Sequence, residues 1–145
     1  MNKLKQRVAL VTGVSSGIGR ATAELFARSG WRTFGTMRRP AGTLPGVEIL
    51  PLDVRDVASA EACVNAVLDA AERIDVLVNN AGVALHGALE ETSIDEAKEL
   101  FETNFFGVMR MTQNVLPAMR IFLAGDGILP GQFADICPGD ERLFP

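Results

Sequence analysis

The chain has 145 residues, enough for one domain with a real core. About half of its residues are hydrophobic (48%) and 22% are charged, the profile of a globular chain. A net charge of −4 argues against a general nucleic-acid binder, and no apolar run approaches the roughly 18 residues of a membrane helix.

Val8-Ala9-Leu10-Val11 is a short apolar run closed by glycine, the pattern of a buried parallel strand. It is too short for a signal-peptide core despite Lys3, Lys5 and Arg7, and a cytoplasmic location is expected. Gly17 to Ser29 then reads as a helix, with Ile18, Ala21, Leu25 and Phe26 at helical spacing and Gly30 at the stop. Trp31 to Met37 is a second strand. Val47 to Leu52 is a third, and Pro51 suits an edge or a strand end. Ala58 to Glu72 is a helix, and Ile74 to Val78 a fourth strand closed by Asn79-Asn80-Ala81-Gly82. Ser93-Ile94-Asp95-Glu96 has the form of a capping box. It should open a helix running towards Met119, bent near Gly107 or Pro117. Strands interleaved with helices predict an α/β fold, a Rossmann-like parallel sheet covered on both faces and incomplete at its C-terminal side.

Residues 121–145 differ in character. Seven of these 25 residues are Gly or Pro, against 14 of the preceding 120, and no period lasts beyond Ile121-Phe122-Leu123-Ala124. The expectation is a dinucleotide-binding domain over 1–120 and an irregular tail over 121–145, with a short strand at most. Cys63 and Cys137 are too few for a disulfide scaffold and read as free thiols.

Four segments carry chemistry. In Thr12-Gly13-Val14-Ser15-Ser16-Gly17-Ile18-Gly19 the glycines allow a tight turn and a close backbone approach to a pyrophosphate. The helix that follows offers free N–H groups and a positive dipole end. Dinucleotide folds place an acid about 20 residues past this loop for the ribose of NAD. Here Met37, Arg38 and Arg39 stand there instead, which suits the 2′-phosphate of NADP, with NAD as the alternative. Asp53-Val54 and Asn79 to Gly82 follow strands on the same carboxyl-end edge of the sheet. Asp53 reads equally well as a cap for the next helix, and the asparagines as turn formers.

Together these motifs resemble the short-chain dehydrogenase/reductase family over roughly residues 5 to 120. Thr12-Gly13-x-x-x-Gly17-x-Gly19 is similar to its cofactor loop, Asn79-Asn80-Ala81-Gly82 to its N-N-A-G signature, and Asp53 to its adenine-contacting Asp. Asn104 falls where the family keeps a catalytic-tetrad Asn. The resemblance implies NADP-linked hydride transfer between a small-molecule alcohol and a carbonyl. It assigns Thr12, Gly13, Ser15, Ser16, Gly17, Ile18, Gly19, Arg38, Arg39, Asp53, Val54, Asn80, Ala81 and Gly82 to the cofactor. It also implies a homo-oligomer, since the family packs the helix after Ser93 between subunits; no metal site is assigned.

The departure from the family is equally specific. Its tetrad adds a Ser, a Tyr proton donor and a Lys beyond the Asn. This chain has 0 Tyr, no Ser after Ser93, and its lysines are Lys3, Lys5 and Lys98. His86, Asp135, Cys137, Asp140 and Glu141 are assigned no catalytic role. The chain therefore reads as the cofactor half of such an oxidoreductase, truncated or out of frame after residue 120 and inactive alone. A non-catalytic dinucleotide module or association partner is the alternative.

Overall fold

The computed structural model describes residues 6–125. Strand β1 (Val8–Val11) is followed by helix α1 (Gly17–Arg28), β2 (Arg32–Met37), β3 (Val47–Pro51), α2 (Val57–Ala71) and β4 (Val76–Val78). Then come a 3-10 turn (Leu89–Glu91), α3 (Ile94–Phe101), a π-helical segment (Glu102–Phe106) and α4 (Gly107–Gly125). The four strands form one parallel sheet in the order β3-β2-β1-β4. β1 is wholly buried because it is paired on both sides and covered on both faces, so every one of its side chains must be apolar. Pro51 ends β3, which lies at the margin of the sheet, where its missing N–H costs no ladder bond.

The alternation of side chains along β1 divides the core in two. Val8 and Leu10 join Phe34, Ile74, Ala60, Cys63, Val64 and Val67 on the face covered by α2, and α4 adds Met111 and Val115. Val11 packs on the other face with Val14, Met37, Leu44 and Ala23 of α1. Each large side chain buried here contributes about 1.5–3 kcal/mol of transfer free energy. Cys63 is a free buried thiol, and burial pushes its pKa up to about 11, so it serves as packing. Cys137 lies outside the described residues.

From β1 to β4, strand and helix boundaries fall within two residues of expectation. Trp31 precedes β2 rather than opening it, because Gly30 takes a left-handed φ of 82° and turns the chain. The indole stacks edge-on against Phe26 at 5.1 Å, with the Arg7 guanidinium 4.2 Å from its ring. Ile74 is buried but stands outside the β4 ladder. Asp75 begins the pairing instead, with its N–H donating to Val8 O and its carboxylate accepting from Val8 N at 2.7 Å. Asp53 is not the cap of α2. That role belongs to Asp56, whose carboxylate accepts the Ser59 N–H at 2.6 Å.

The helix after Ser93 is opened by a complete capping box. It is interrupted by the π segment, which ends directly at Gly107, and Pro117 sits inside α4. The helix also runs through 121–125, where a short strand at most was expected. Once α4 is nucleated, each further residue adds a backbone bond at little cost, and the apolar run 121–124 does not resist it. Residues 126–145 lie outside the described residues, and so does the rest of the expected tail. No helix among the described residues is long and apolar enough to cross a membrane.

Candidate cofactor site

The strand order places the site. From β1 the chain moves outward to β2 and β3, then returns to set β4 on the opposite side of β1. The loops leaving β1 and β4 diverge there, and such a switch point forms a crevice at the carboxyl ends of the strands. The two loops are the glycine loop and Asn79 to Gly82.

Hydrogen bonds across 66 to 69 residues of sequence join them. Thr12 is buried, and its hydroxyl accepts the N–H groups of Asn80 (3.0 Å) and Ala81 (2.9 Å) while donating to Val78 O at 3.3 Å. The Asn80 amide donates to the carbonyls of Thr12 and Gly13, both at 2.9 Å. Two glycines are required by this closeness. Gly13 has φ 72°, and a Cβ there would lie 2.8 Å from Ala81 Cα. A Cβ on Gly19 would lie 2.2 Å from Asn80 Nδ2 and 2.3 Å from Gly13 O. Thr12, Gly19 and the Asn80 side chain therefore build the crevice by holding its walls together.

The crevice is a cleft of about 630 Å³ lined by Gly13, Ser15, Ser16, Arg38, Asp53, Val54, Asn80, Ala81 and Gly82 among others. Gly17 and Ile18 are exposed at the start of α1 and do not line it. Ser16 precedes α1 in extended conformation, its side chain makes no capping bond, and the first turn holds no acidic residue. The N–H groups of that turn have no acceptor within the helix, so this end of the dipole faces the cleft without a built-in counter-charge. A neighbouring cleft of about 570 Å³ is lined by Ser15, Met37, Arg38, Arg39, Asp53 and Arg55. The arrangement provides two anion-favouring positions, one at the helix end and one at the arginines.

Asp53 is engaged by a residue that the motif reading passed over. Its Oδ1 accepts Arg55 N and Arg55 Nε, both at 3.0 Å, and its Oδ2 accepts Arg55 Nη2 at 2.7 Å. The Arg55 fork, against the opposing effect of burial, brings the Asp53 carboxyl down to about 2. Thr36 is a second missed contact, its hydroxyl accepting Gly13 N at 3.3 Å. α3 adds Glu96, Glu99 and Leu100 to the cleft wall, and Thr103 follows from the π segment. Loop residues two positions past a strand-end acid were the one available signal for Arg55; nothing local marks Thr36.

Asn104 sits in the π segment. Its Oδ1 accepts Val83 N at 2.9 Å and its Nδ2 donates to Val83 O at 2.8 Å, so both ends of the amide hold the loop after Gly82. π segments inside helices re-aim side chains in this way. Arg110 fixes the segment from the far side, its guanidinium donating to Val54 O and to Glu102 Oε1. His86 is exposed, and among the described residues no cluster of His, Cys, Asp or Glu could hold a metal.

A family model described as short chain dehydrogenase matches residues 7–127. The chain is 38% identical over 117 residues to a 3-ketodihydrosphingosine reductase of Bacteroides thetaiotaomicron, covering 81% of this chain and 44% of that protein. It is also 38% identical to a 3-oxoacyl-(acyl-carrier-protein) reductase of Vibrio harveyi, covering 84% and 53%. Among solved structures, an actinorhodin polyketide ketoreductase with NADPH matches with a TM-score of 0.75 and 36% identity, over 83% of this chain and 50% of that one. An NADH-dependent reductase complexed with NAD matches with a TM-score of 0.77 and 27% identity, over 85% and 56%. The chain spans about half the length of the curated relatives it matches. With the parallel sheet, the stitched loops and the residues matched from 7 to 127, the chain belongs to the short-chain dehydrogenase family.

Proposed function

We propose that this chain holds a nicotinamide dinucleotide in the crevice, prefers NADP(H) to NAD(H), and supplies the cofactor-binding part of an oxidoreductase acting between an alcohol and a carbonyl. The observation that carries the reading is the pairing of two anion positions on one edge of the sheet. The uncapped start of α1 suits a pyrophosphate, and Arg38 with Arg39, about one strand away, suits a ribose 2′-phosphate. Gly13 and Ala81 bring backbone to the cleft floor, and Asp53 offers a carboxylate to the base. A bound nicotinamide ring gives or takes a hydride. The chain's own residues bind and orient, and Asn104 holds the loop that borders the cleft.

Hydride transfer to a carbonyl also requires a proton on the oxygen. The sequence contains no Tyr, and no Ser or Lys follows Asn104. The 145-residue chain is therefore expected to bind cofactor without turnover. Fluorescence titration with NADPH and NADH checks this directly. NADPH should bind about tenfold tighter or better, and Arg38→Ala should bring the two within about twofold, as loss of one charge-assisted phosphate contact requires. Equal affinity in the unaltered chain overturns the NADP preference. Absence of both interactions overturns the cofactor reading, and sustained oxidation of NADPH by a carbonyl panel overturns the catalytic one.

Copies of this chain are also proposed to associate through the aromatic surface of the π segment, where Phe105 and Phe106 are about half exposed.

A further inference from the structure

Arg55 stands outside every motif that led to the site, yet it makes three of the bonds to the one carboxylate in the cleft that faces both anion positions. Its own N–H and Nε both reach Oδ1 at 3.0 Å, and Nη2 reaches Oδ2 at 2.7 Å. The Asp53 backbone is anchored as well, its N–H donating to Ser59 Oγ at 3.0 Å. A carboxylate offers about four acceptor positions. Arg55 fills three, two on Oδ1 and one on Oδ2. The acceptor left over is on Oδ2, on a residue that lines both clefts.

We propose that Arg55 is a positioning residue for base recognition: its fork fixes the Asp53 carboxylate so that the remaining Oδ2 acceptor receives the exocyclic amino group of adenine and refuses a base carrying a carbonyl there. Hypoxanthine is the informative comparison, because it replaces that amino group with an oxygen. Two acceptors would then face each other without a proton between them. The inference rests on the dinucleotide reading above. The charges around the pair favour the arrangement. Arg38, at the end of β2, faces Asp53 and supports its ionised form, and Glu99 and Glu102 face Arg55 and help to hold the guanidinium in place. The same fork that orients the carboxylate brings its pKa to about 2, so it remains a pure acceptor throughout the neutral and mildly acid range.

The test uses the 145-residue chain with two reduced cofactors, NADPH and its hypoxanthine analogue. The unaltered chain should bind NADPH about tenfold more tightly than the analogue, the worth of one hydrogen bond to a charged group at a partly exposed site. Arg55→Ala should bring that ratio to within about twofold of one while NADPH binding stays measurable. Arg55→Lys should fall between, since a lysine supplies the charge without the fork. Carbon NMR of the Asp53 carboxyl gives a reading free of ligand. It should titrate near 2 in the unaltered chain and near the ordinary carboxylate value of about 4 in Arg55→Ala. A full adenine preference in a folded Arg55→Ala protein overturns the proposal and leaves the dinucleotide reading standing. An ordinary Asp53 titration in the unaltered chain also overturns it. If neither cofactor binds the unaltered chain, the dinucleotide reading fails and this inference fails with it.

Discussion

Gly19 shows how one missing side chain sets the geometry of the crevice. A methyl group there would meet the Gly13 carbonyl oxygen at 2.3 Å and Asn80 Nδ2 at 2.2 Å. The oxygen belongs to backbone and cannot swing aside, so Asn80 must move and give up its bonds to the Thr12 and Gly13 carbonyls. Alanine gains about 1 kcal/mol of helix propensity. Overpacking costs about 1–3 kcal/mol and the stranded part-buried carbonyls about 1–3 kcal/mol more. Gly19→Ala should therefore lower the urea-unfolding free energy by about 2 kcal/mol or more and weaken NADPH binding. An unchanged midpoint would mean the crevice is slack. The glycine spacing was legible in the sequence, and so was the strand–loop–helix context that made it meaningful. Its reason was only half legible. Gly13 and Gly17 have the positive φ that a tight turn requires, whereas Gly19 is glycine because of Asn80, 61 positions away. A partnership across that distance leaves no local trace in composition or period. Arg55 was missed for a related reason: an arginine on a polar loop looks like any solvated cation until its acceptor is placed.

At the scale of elements, local signals carried furthest where the stabilising bonds are local. The capping box of α3 closes within three residues, and Ser93 and Glu96 announce it. The π segment is the opposite case. Nothing in Glu102-Thr103-Asn104-Phe105-Phe106 distinguishes it from continuous helix. It is held by contacts from another part of the chain: the Arg110 guanidinium on the Val54 carbonyl, and Gly107 against Val54. A Cβ on Gly107 would lie 2.7 Å from Val54 Cγ2 and 3.0 Å from its Cβ. Valine is stiff about χ1, so relief must come from moving the loop of Asp53 to Arg55 or the helix itself. In an isolated helix Gly→Ala stabilises by about 1 kcal/mol. Here Gly107→Ala should destabilise by a net amount of about 1–2 kcal/mol, the overpacking cost exceeding the propensity gain. Amide shifts should change at Val54 and Arg55 as well as within α4. A more stable variant with an undisturbed Val54 would show that the close approach is not needed for the turn.

The whole molecule presents an apolar surface that the fold leaves uncovered. Phe101, Phe105, Phe106 and Met109 are 58%, 52%, 48% and 44% exposed within nine residues of each other. Phe105 and Phe106 meet edge to face at 5.2 Å, so the patch is ordered by its own contacts. Scattered exposed apolar residues are ordinary, but several large ones gathered on one helical stretch are what the proposed association rests on. β4 adds a second exposed feature, since among the described residues it pairs only with β1. The two features make different predictions. If the aromatic patch drives association, the chain should be a dimer or larger at micromolar concentration by light scattering. Phe105→Asp should then convert it to monomer without loss of far-UV dichroism, because desolvating a carboxylate in that interface costs several kcal/mol. If the β4 edge drives it, Phe105→Asp should remain associated, since backbone pairing does not depend on that side chain. A monomer in the unaltered chain removes both. The cleft lies at the carboxyl ends of the strands, and Phe105 does not line it, so NADPH affinity per chain should be unchanged between the associated protein and a Phe105→Asp monomer. A parallel loss of affinity would instead mean that association helps hold the π segment, and through Asn104 the loop at Val83, in the shape the site requires.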